Sequence, residues 1–140
     1  MRYVLDSSVA VKWVITEADS ATARRLRDEV QQGLHTFLAP DVFPAEVAHA
    51  LPRAERQGHI GIGDATVQWA AVMTDCPALE PGRRLLPRAI AISSAARIGV
   101  YDCLYVALAE REGCELVTAD TRLVTNLKPQ FPFIVELASL

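Results

Sequence analysis

Four acidic residues stand where their carboxylates could carry chemistry. Asp6 directly follows the first predicted strand, and Asp120 follows a later one. Asp102 opens a predicted helix at the head of its apolar face, and Glu46 lies near the start of another helix. Because ligands bind outside the carboxyl ends of parallel strands, Asp6 and Asp120 are expected to meet if their strands are neighbours.

Carboxylates gathered at one sheet edge favour a hard divalent cation. Mg²⁺ takes oxygen ligands, commonly carboxylates together with waters and substrate phosphate oxygens. Ionised carboxylates within a few ångströms repel one another unless a cation neutralises them. A bound metal lowers the pKa of water and stabilises the attacking and leaving oxygens of a phosphodiester. The acid set therefore indicates metal-assisted phosphodiester hydrolysis.

Each acid also has a purely structural interpretation. Aspartate is a favoured helix N-cap that stabilises by about 1 kcal/mol, so Asp6, Asp102 and Asp120 are candidates to cap the helices that follow them. Glu46 taken alone is a surface glutamate. Since a cap can also be a ligand, both interpretations stay open, and convergence of several acids at one edge favours the functional one.

Other catalytic classes lack their motifs. The sequence contains no GxxxxGK[ST], GxGxxG, HExxH or GxSxG. Ser8 stands where a haloacid-dehalogenase-type phosphatase would have its second aspartate. Cys103 has no oriented histidine to activate its thiol. The three histidines lack metal-ligand spacing with the cysteines: they are His35, His49 and His59.

Short apolar segments alternate with longer helical patterns along the chain, which predicts an α/β fold with a mainly parallel sheet covered on both faces. The predicted strands are Tyr3–Leu5, Thr36–Ala39, Ala78–Glu80, Glu115–Thr118 and Phe133–Val135. The predicted helices are Ser20–Gln32, Pro44–Gln57, Asp64–Thr74, Arg84–Arg97 and Asp102–Glu112. No repeat or linker interrupts the pattern, so a single domain over residues 1–140 is expected.

Bulk properties restrict the class of protein. Among 140 residues, 51% are hydrophobic and 22% are charged, which suits one packed core. The mean hydropathy is +0.17. The longest stretch without Asp, Glu, Lys or Arg runs only from Val30 to Pro40, short of the roughly 20 residues of a membrane span. No signal-peptide pattern is found. Three cysteines without CxxC spacing predict reduced thiols, so a cytoplasmic location is expected.

The charge balance is slightly acidic. A net charge of −3 and a pI of about 5.6 argue against nucleic-acid binding through overall positive charge. An acidic active site can still carry a basic rim. The arginines that could form such a rim, or simply lie on solvated helix faces, are Arg24, Arg25, Arg83, Arg84, Arg88 and Arg97.

Four segments together resemble the PIN-domain family, and within it the VapC-type toxins of type II toxin–antitoxin systems. They run in the family's order and cover nearly the whole chain, and the YDxxYxALA segment followed by TAD is fairly specific. The segments are Val4–Val9, Ala39–Ala48, Val100–Ala109 and Leu116–Leu123.

The resemblance implies an α/β/α sandwich with a central, mainly parallel sheet, and hydrolysis of an RNA phosphodiester by metal-activated water. The residues that it assigns to catalysis and to binding Mg²⁺ or Mn²⁺ are Asp6, Glu46, Asp102 and Asp120. By the same resemblance, Ser8 and Thr118 lie beside the site and position ligands or waters through their hydroxyls. The family also implies a homodimer and a cognate antitoxin protein that occludes the site.

The identity of the RNA is left open by the sequence, because transfer, ribosomal and messenger RNA are all targets in this kind of family. Unpaired RNA suits such a site since it can be splayed into it. Trp13 or Trp69 could stack a base, or pack in the core or in a dimer interface. The alternative function is a non-catalytic PIN-like module for binding or regulation, against which the complete acid set argues.

Overall fold

The computed structural model describes all 140 residues and centres on one sheet of five parallel strands. The strands are β1 (Arg2–Leu5), β2 (Thr36–Pro40), β3 (Ala78–Glu80), β4 (Glu115–Thr118) and β5 (Ile134–Glu136). Their spatial order is β3-β2-β1-β4-β5, and every neighbouring pair is parallel. The predicted α/β class with a parallel sheet is confirmed.

Seven α-helices connect and cover the strands. They are α1 (Ser7–Val11), α2 (Ser20–Gln31), α3 (Phe43–Arg56), α4 (Ala65–Thr74), α5 (Leu86–Ala96), α6 (Val100–Glu112) and α7 (Thr121–Leu127), and a 3₁₀ turn follows at Leu137–Ser139. α6 is buried on every side from Cys103 to Ala109 and packs against the sheet and α5. No single helix has both the length and the apolarity to span a membrane, and α5 with α6 meets that test only as a pair bent by 119°.

The sheet is covered on both faces at its centre. Successive side chains of a strand point to opposite faces, and consecutive residues of the two central strands are all buried. These are Val4 and Leu5 in β1 and Leu116 and Val117 in β4, each at 0% exposure. Helices therefore pack on each side of β1 and β4, as a continuous apolar strand sequence predicts.

β1 is the place where the winding of the sheet reverses. From β1 the chain moves outward to β2 and β3, then returns to set β4 on the other side of β1, with β5 beyond it. The register pairs Leu5 with Val117, so β1 and β4 end nearly together. In open α/β sheets the ligand crevice lies at such a reversal, outside the carboxyl ends of the strands.

Element boundaries differ from the prediction where local signals are short. α1 and α7 have only five and seven residues, too few to show an apolar period. β5 begins and ends one residue later than predicted. α6 begins at Val100 because Gly99 is its N-cap, so Asp102 lies inside the first turn and does not open the helix. α5 ends at Ala96, where Arg97 turns the chain with a left-handed φ of 58°.

Candidate functional site

Asp6 lies at the carboxyl end of β1, beside the end of β4. Its backbone N–H donates to the Val117 carbonyl at 3.0 Å, which continues the pairing of the two strands. The residue is 4% exposed. Although it stands at the N-cap position of α1, its carboxylate accepts no cap hydrogen bond. The cap interpretation of Asp6 is therefore wrong.

Two hydroxyls hold the Asp6 carboxylate. Ser8 Oγ and Thr118 Oγ1 each donate to Asp6 Oδ2 at 2.7 Å. The same oxygens accept backbone N–H groups, Ser8 Oγ from Ala119 at 3.0 Å and Thr118 Oγ1 from Asp120 at 3.0 Å. Each hydroxyl thus ties the end of β1 to the residues after β4, and together they fix the orientation of the carboxylate.

Asp120 and Asp102 reach the same cleft from the starts of α7 and α6. Asp120 Oδ1 accepts the N–H groups of Arg122 and Leu123 at 3.0 and 3.2 Å, so its predicted capping role is confirmed. Asp102 is not the N-cap of α6, and its cap interpretation is wrong. A cleft of about 380 Å³ is lined by all three aspartates, Asp6, Asp102 and Asp120. We call it the aspartate cleft.

Glu46 stands beside the aspartate cleft and not inside it. It lies in the first turn of α3 and lines a neighbouring cleft of about 380 Å³. Ser7 lines both clefts and so joins them. Glu46 Oε1 and Tyr105 Oη are both buried without a hydrogen-bond partner at ordinary length. The two groups are nevertheless neighbours, and the Tyr105 hydroxyl lowers the pKa of Glu46. A buried carboxylate oxygen without a close partner is destabilising, and a positive charge next to it would stabilise it.

Burial, together with the negative charge gathered around the aspartate cleft, raises carboxyl pKa values. Burial raises the pKa of Asp6, although its two hydroxyl partners oppose the effect. Burial, with the charges of Asp6 and Asp120, raises the pKa of Asp102 to about 6. Burial, with the charges of Asp6 and Asp102, raises the pKa of Glu46 to about 7. Ionising all of these groups is unfavourable unless a cation neutralises them.

The carboxylates do not form a closed ligand shell in this conformation. No group of three or more His, Cys, Asp or Glu side chains has the mutual geometry of a complete ion site. Mg²⁺ is commonly held by one or two carboxylates, with waters and substrate phosphates as its other ligands. The all-oxygen donor set and the unpartnered oxygen of Glu46 fit such a cation.

Several residues that the sequence did not single out also line these clefts. Lys12 lines the aspartate cleft, where its Nζ donates to Glu17 Oε1 at 3.1 Å and to the Ala18 carbonyl at 2.8 Å. His49 and Tyr101 line the cleft that contains Glu46. Tyr101 is 62% exposed. Its position next to an acid in the YDxxYxALA segment was the only feature of the sequence that could have pointed to it.

The arginines predicted as a rim do not line the aspartate cleft. Arg24 donates to the Trp13 carbonyl at 3.1 Å and to Thr16 at 3.1 Å. Arg88 forms two hydrogen bonds with Glu110, at 2.8 and 3.0 Å. These side chains are engaged in structural contacts, as the solvated-face interpretation allows.

Three further sequence candidates, two tryptophans and a cysteine, have structural explanations. The indole N–H groups of Trp13 and Trp69 donate to the carbonyls of Ala23 and Pro44, each at 3.0 Å, and Trp13 is 5% exposed. Burial, with a neighbouring negative charge, raises the pKa of the Cys103 thiol to about 11. A thiolate nucleophile at this position is therefore disfavoured.

The fold and the cleft define an α/β protein whose acidic site lies at the switch point of a parallel sheet. The sequence model of the PIN domain matches residues 3–126. This chain belongs to the PIN domain family, and its architecture is the α/β/α sandwich of that family.

The relatives and structural neighbours are similar over nearly the whole chain. Ribonuclease VapC3 of Pyrobaculum aerophilum is 31% identical over 137 residues, which cover 96% of this chain and 98% of the relative. Ribonuclease VapC12 of Mycobacterium tuberculosis is 35% identical over 124 residues, which cover 88% and 90%. PAE2754 from Pyrobaculum aerophilum has a TM-score of 0.70 at 20% identity, over 99% of this chain and 94% of that chain. VapBC2 from Rickettsia felis, bound to a promoter DNA fragment, has a TM-score of 0.62 at 14% identity, over 97% of both chains.

Proposed function

We propose that this chain is a divalent-metal-dependent endoribonuclease that hydrolyses RNA phosphodiester bonds and is the toxic component of a toxin–antitoxin pair. The observation that carries the proposal is the convergence of Asp6, Asp102 and Asp120 on one cleft, next to the unpartnered oxygen of Glu46. Relatives with 31% and 35% identity that are named ribonucleases support RNA as the substrate.

In this proposal the four acids hold Mg²⁺ or Mn²⁺ at the carboxyl edge of the sheet. Bound there, the cation supplies Lewis acidity toward the scissile phosphate and the attacking water. Asp6 contributes a carboxylate that Ser8 and Thr118 keep in one orientation while substrate enters. Preorganised ligands of this kind avoid rearrangement during the reaction.

Glu46 is the acid best suited to exchange a proton. Without a cation its pKa is raised to about 7 by burial and by the nearby aspartates. A group with a pKa near the operating pH is effective as a general base. A cation bound beside Glu46 would favour its ionised form, and we assign this carboxylate to accept the proton of the attacking water.

The test of the proposal is charge removal at constant shape. Asp6→Asn or Asp102→Asn is expected to abolish Mg²⁺-dependent cleavage of total bacterial RNA, because the amide loses the charge that holds the cation. The matched control is Asp64→Asn, an exposed position whose carboxylate makes no cap hydrogen bond, and it is expected to cleave like the wild type. Cleavage is followed by gel electrophoresis with Mg²⁺ and with chelator, in protein free of contaminating nuclease.

Two outcomes would contradict this assignment. Near-wild-type turnover by either site variant would reject the proposed site. RNA binding by the wild type without cleavage in Mg²⁺ or Mn²⁺ would support the non-catalytic module instead.

A cognate antitoxin that occludes the cleft and a homodimer belong to the same proposal. Kinship with VapC ribonucleases supports the antitoxin. Leu86 and Ile90, which are 36% and 52% exposed and one turn apart on α5, offer apolar surface to a second copy. The three cysteines are free, which suits the reducing cytoplasm where we place the protein.

A further inference from the structure

A second groove opens from the aspartate cleft along α3. It has a volume of about 320 Å³, and the basic side chains that line it are His49, Arg53, Arg56 and His59. Val11, Glu17 and Ala50 line both spaces, so the groove is continuous with the aspartate cleft. We call it the α3 groove.

The two arginines of the α3 groove carry charges that the protein does not neutralise. Arg53 and Arg56 are exposed, and neither takes part in an ion pair of the protein. The nearest acid in sequence, Glu55, accepts instead the backbone N–H groups of Gly63 and Ala65 at 2.7 and 3.1 Å. Two free guanidinium groups therefore remain beside the acidic site.

The carboxylate on the wall of the groove is already paired. Glu17 accepts from Lys12 Nζ at 3.1 Å, so it does not compete for the arginines. Some guanidinium groups elsewhere on the molecule pair with acids, as Arg25 does with Glu29 at 3.6 Å and Arg88 with Glu110 at 2.8 Å. What sets the two arginines of the groove apart from other unpaired arginines is their position beside the aspartate cleft.

A structural reason for basic residues here is the end of the helix. Arg53 and Arg56 lie in the last turn of α3, where cations interact favourably with the helix dipole. That effect does not require the two side chains to line a groove that opens into the aspartate cleft. Their spacing of three residues puts them on one face, with Cβ atoms about 5–6 Å apart.

We propose that the α3 groove binds the phosphate backbone of single-stranded RNA next to the scissile bond, with Arg53 and Arg56 contacting neighbouring phosphates. The inference rests on the proposed ribonuclease function and adds the path of the strand to it. An acidic cleft repels a polyanion, and a basic groove joined to it offsets that repulsion and sets the direction of the RNA. Guanidinium groups match phosphate oxygens in shape and charge. Phosphate contacts carry no sequence information, so the groove acts on RNA of any sequence.

The test compares two double variants that remove the same charge. Arg53→Gln/Arg56→Gln removes the arginines of the groove, and Arg83→Gln/Arg84→Gln removes two exposed arginines outside it. Affinity for a fluorescent, mixed-sequence single-stranded RNA is measured by anisotropy, with chelator present to prevent cleavage. Each phosphate contact contributes about 0.7 to the slope of log K against log salt. The groove variant is therefore expected to lose about 1.4 in slope, and its affinity deficit shrinks about sevenfold between about 50 and about 200 mM salt.

The control variant is expected to keep the wild-type slope. Equal slopes and affinities for the two double variants, or no RNA binding by the wild type, overturn the proposal. Cleavage of total RNA by the wild type in Mg²⁺ is scored separately. If the wild type cleaves RNA and the groove variant binds RNA as tightly as the wild type, only the proposed role of the groove is rejected. If the wild type cleaves no RNA, the proposed ribonuclease function is rejected. Circular dichroism checks that both variants are folded.

Discussion

Asp102→Asn is expected to raise the melting temperature of the metal-free protein, although it removes an acid of the candidate site. Burial and the charges of Asp6 and Asp120 raise the pKa of Asp102 from 3.8 to about 6. At neutral pH the Asp102 carboxylate is therefore less stable as an anion in the folded protein than in the unfolded chain, and this difference destabilises the folded state. The amide keeps the shape of the side chain and removes the charge.

The size of the effect follows from the same geometry. Each pKa unit corresponds to about 1.4 kcal/mol, so the whole increase for Asp102 corresponds to about 3 kcal/mol. Because Asp102 is only partly buried, solvent screening reduces this to roughly half. The first-turn position on α6 stabilises a negative charge by about 0.3–1 kcal/mol, which opposes the gain. A net stabilisation of about 1 kcal/mol remains, or about 3–4 °C for a domain of this size.

The assay is a thermal melt at neutral pH, first with chelator and then with Mg²⁺ or Mn²⁺. Metal that binds only the folded form stabilises the wild type by about 2.7 kcal/mol at a hundredfold excess over Kd, and the variant should lose much of that increase. Asp64→Asn should change neither melt. Asp120→Ala removes the cap of α7, which costs about 1 kcal/mol of metal-free stability, but it also relieves repulsion with Asp6 and Asp102, so its melting temperature should rise less than that of Asp102→Asn. A lower metal-free melting temperature for Asp102→Asn, with the metal-induced shift intact, would refute the reasoning.

Two other predictions concern pH and the thiols. The pKa of Glu46, about 7, and that of Asp102, about 6, exceed their unfolded values, so the native form binds more protons. The stability that proton binding to these two groups contributes is present below about pH 4 and is lost as pH rises through about 6 to 7. The urea concentration at the unfolding midpoint, measured in chelator, should therefore fall across that range, and a rise would contradict the mechanism. Thiol titration of the denatured, unreduced protein should count three free cysteines, Cys76, Cys103 and Cys114, and a count of one would indicate a bridge.

The strands and long helices could be predicted from sequence because their patterns are local. Strands covered on both faces read as continuous apolar runs, and Glu115–Thr118 matches the structure to the residue. The exposed edge strand Ala78–Glu80 also matches, because Pro77 and Pro81 bound it on either side. The short helices α1 and α7 could not be predicted, since isolated helices of this length are marginal and tertiary contacts must hold them. α1 is held between α3 and β4.

The candidate site was predictable in part. Asp6 and Asp120 could be placed at strand ends, but their meeting depends on β4 lying next to β1, and strand order is a property of the whole topology. Whether Asp102 was a cap depended on where α6 begins, which Gly99 decides. The sequence analysis missed the arginines of the α3 groove. Adjacent arginines are easily noticed in a sequence, whereas residues three positions apart become neighbours only when the segment is helical.

The hydrogen bond between Thr118 and Asp6 joins residues that are 112 positions apart. During synthesis β1 and Asp6 are therefore made early, and the cleft cannot form until almost all of the remaining chain has been added. At about 5–20 residues per second the ribosome needs roughly 6–22 s to add those residues. A nascent or prematurely terminated chain that lacks β4 has neither the second wall of the cleft nor the hydroxyl that orients Asp6. For the toxic ribonuclease that we propose, this order of assembly delays activity until translation of the chain is nearly complete.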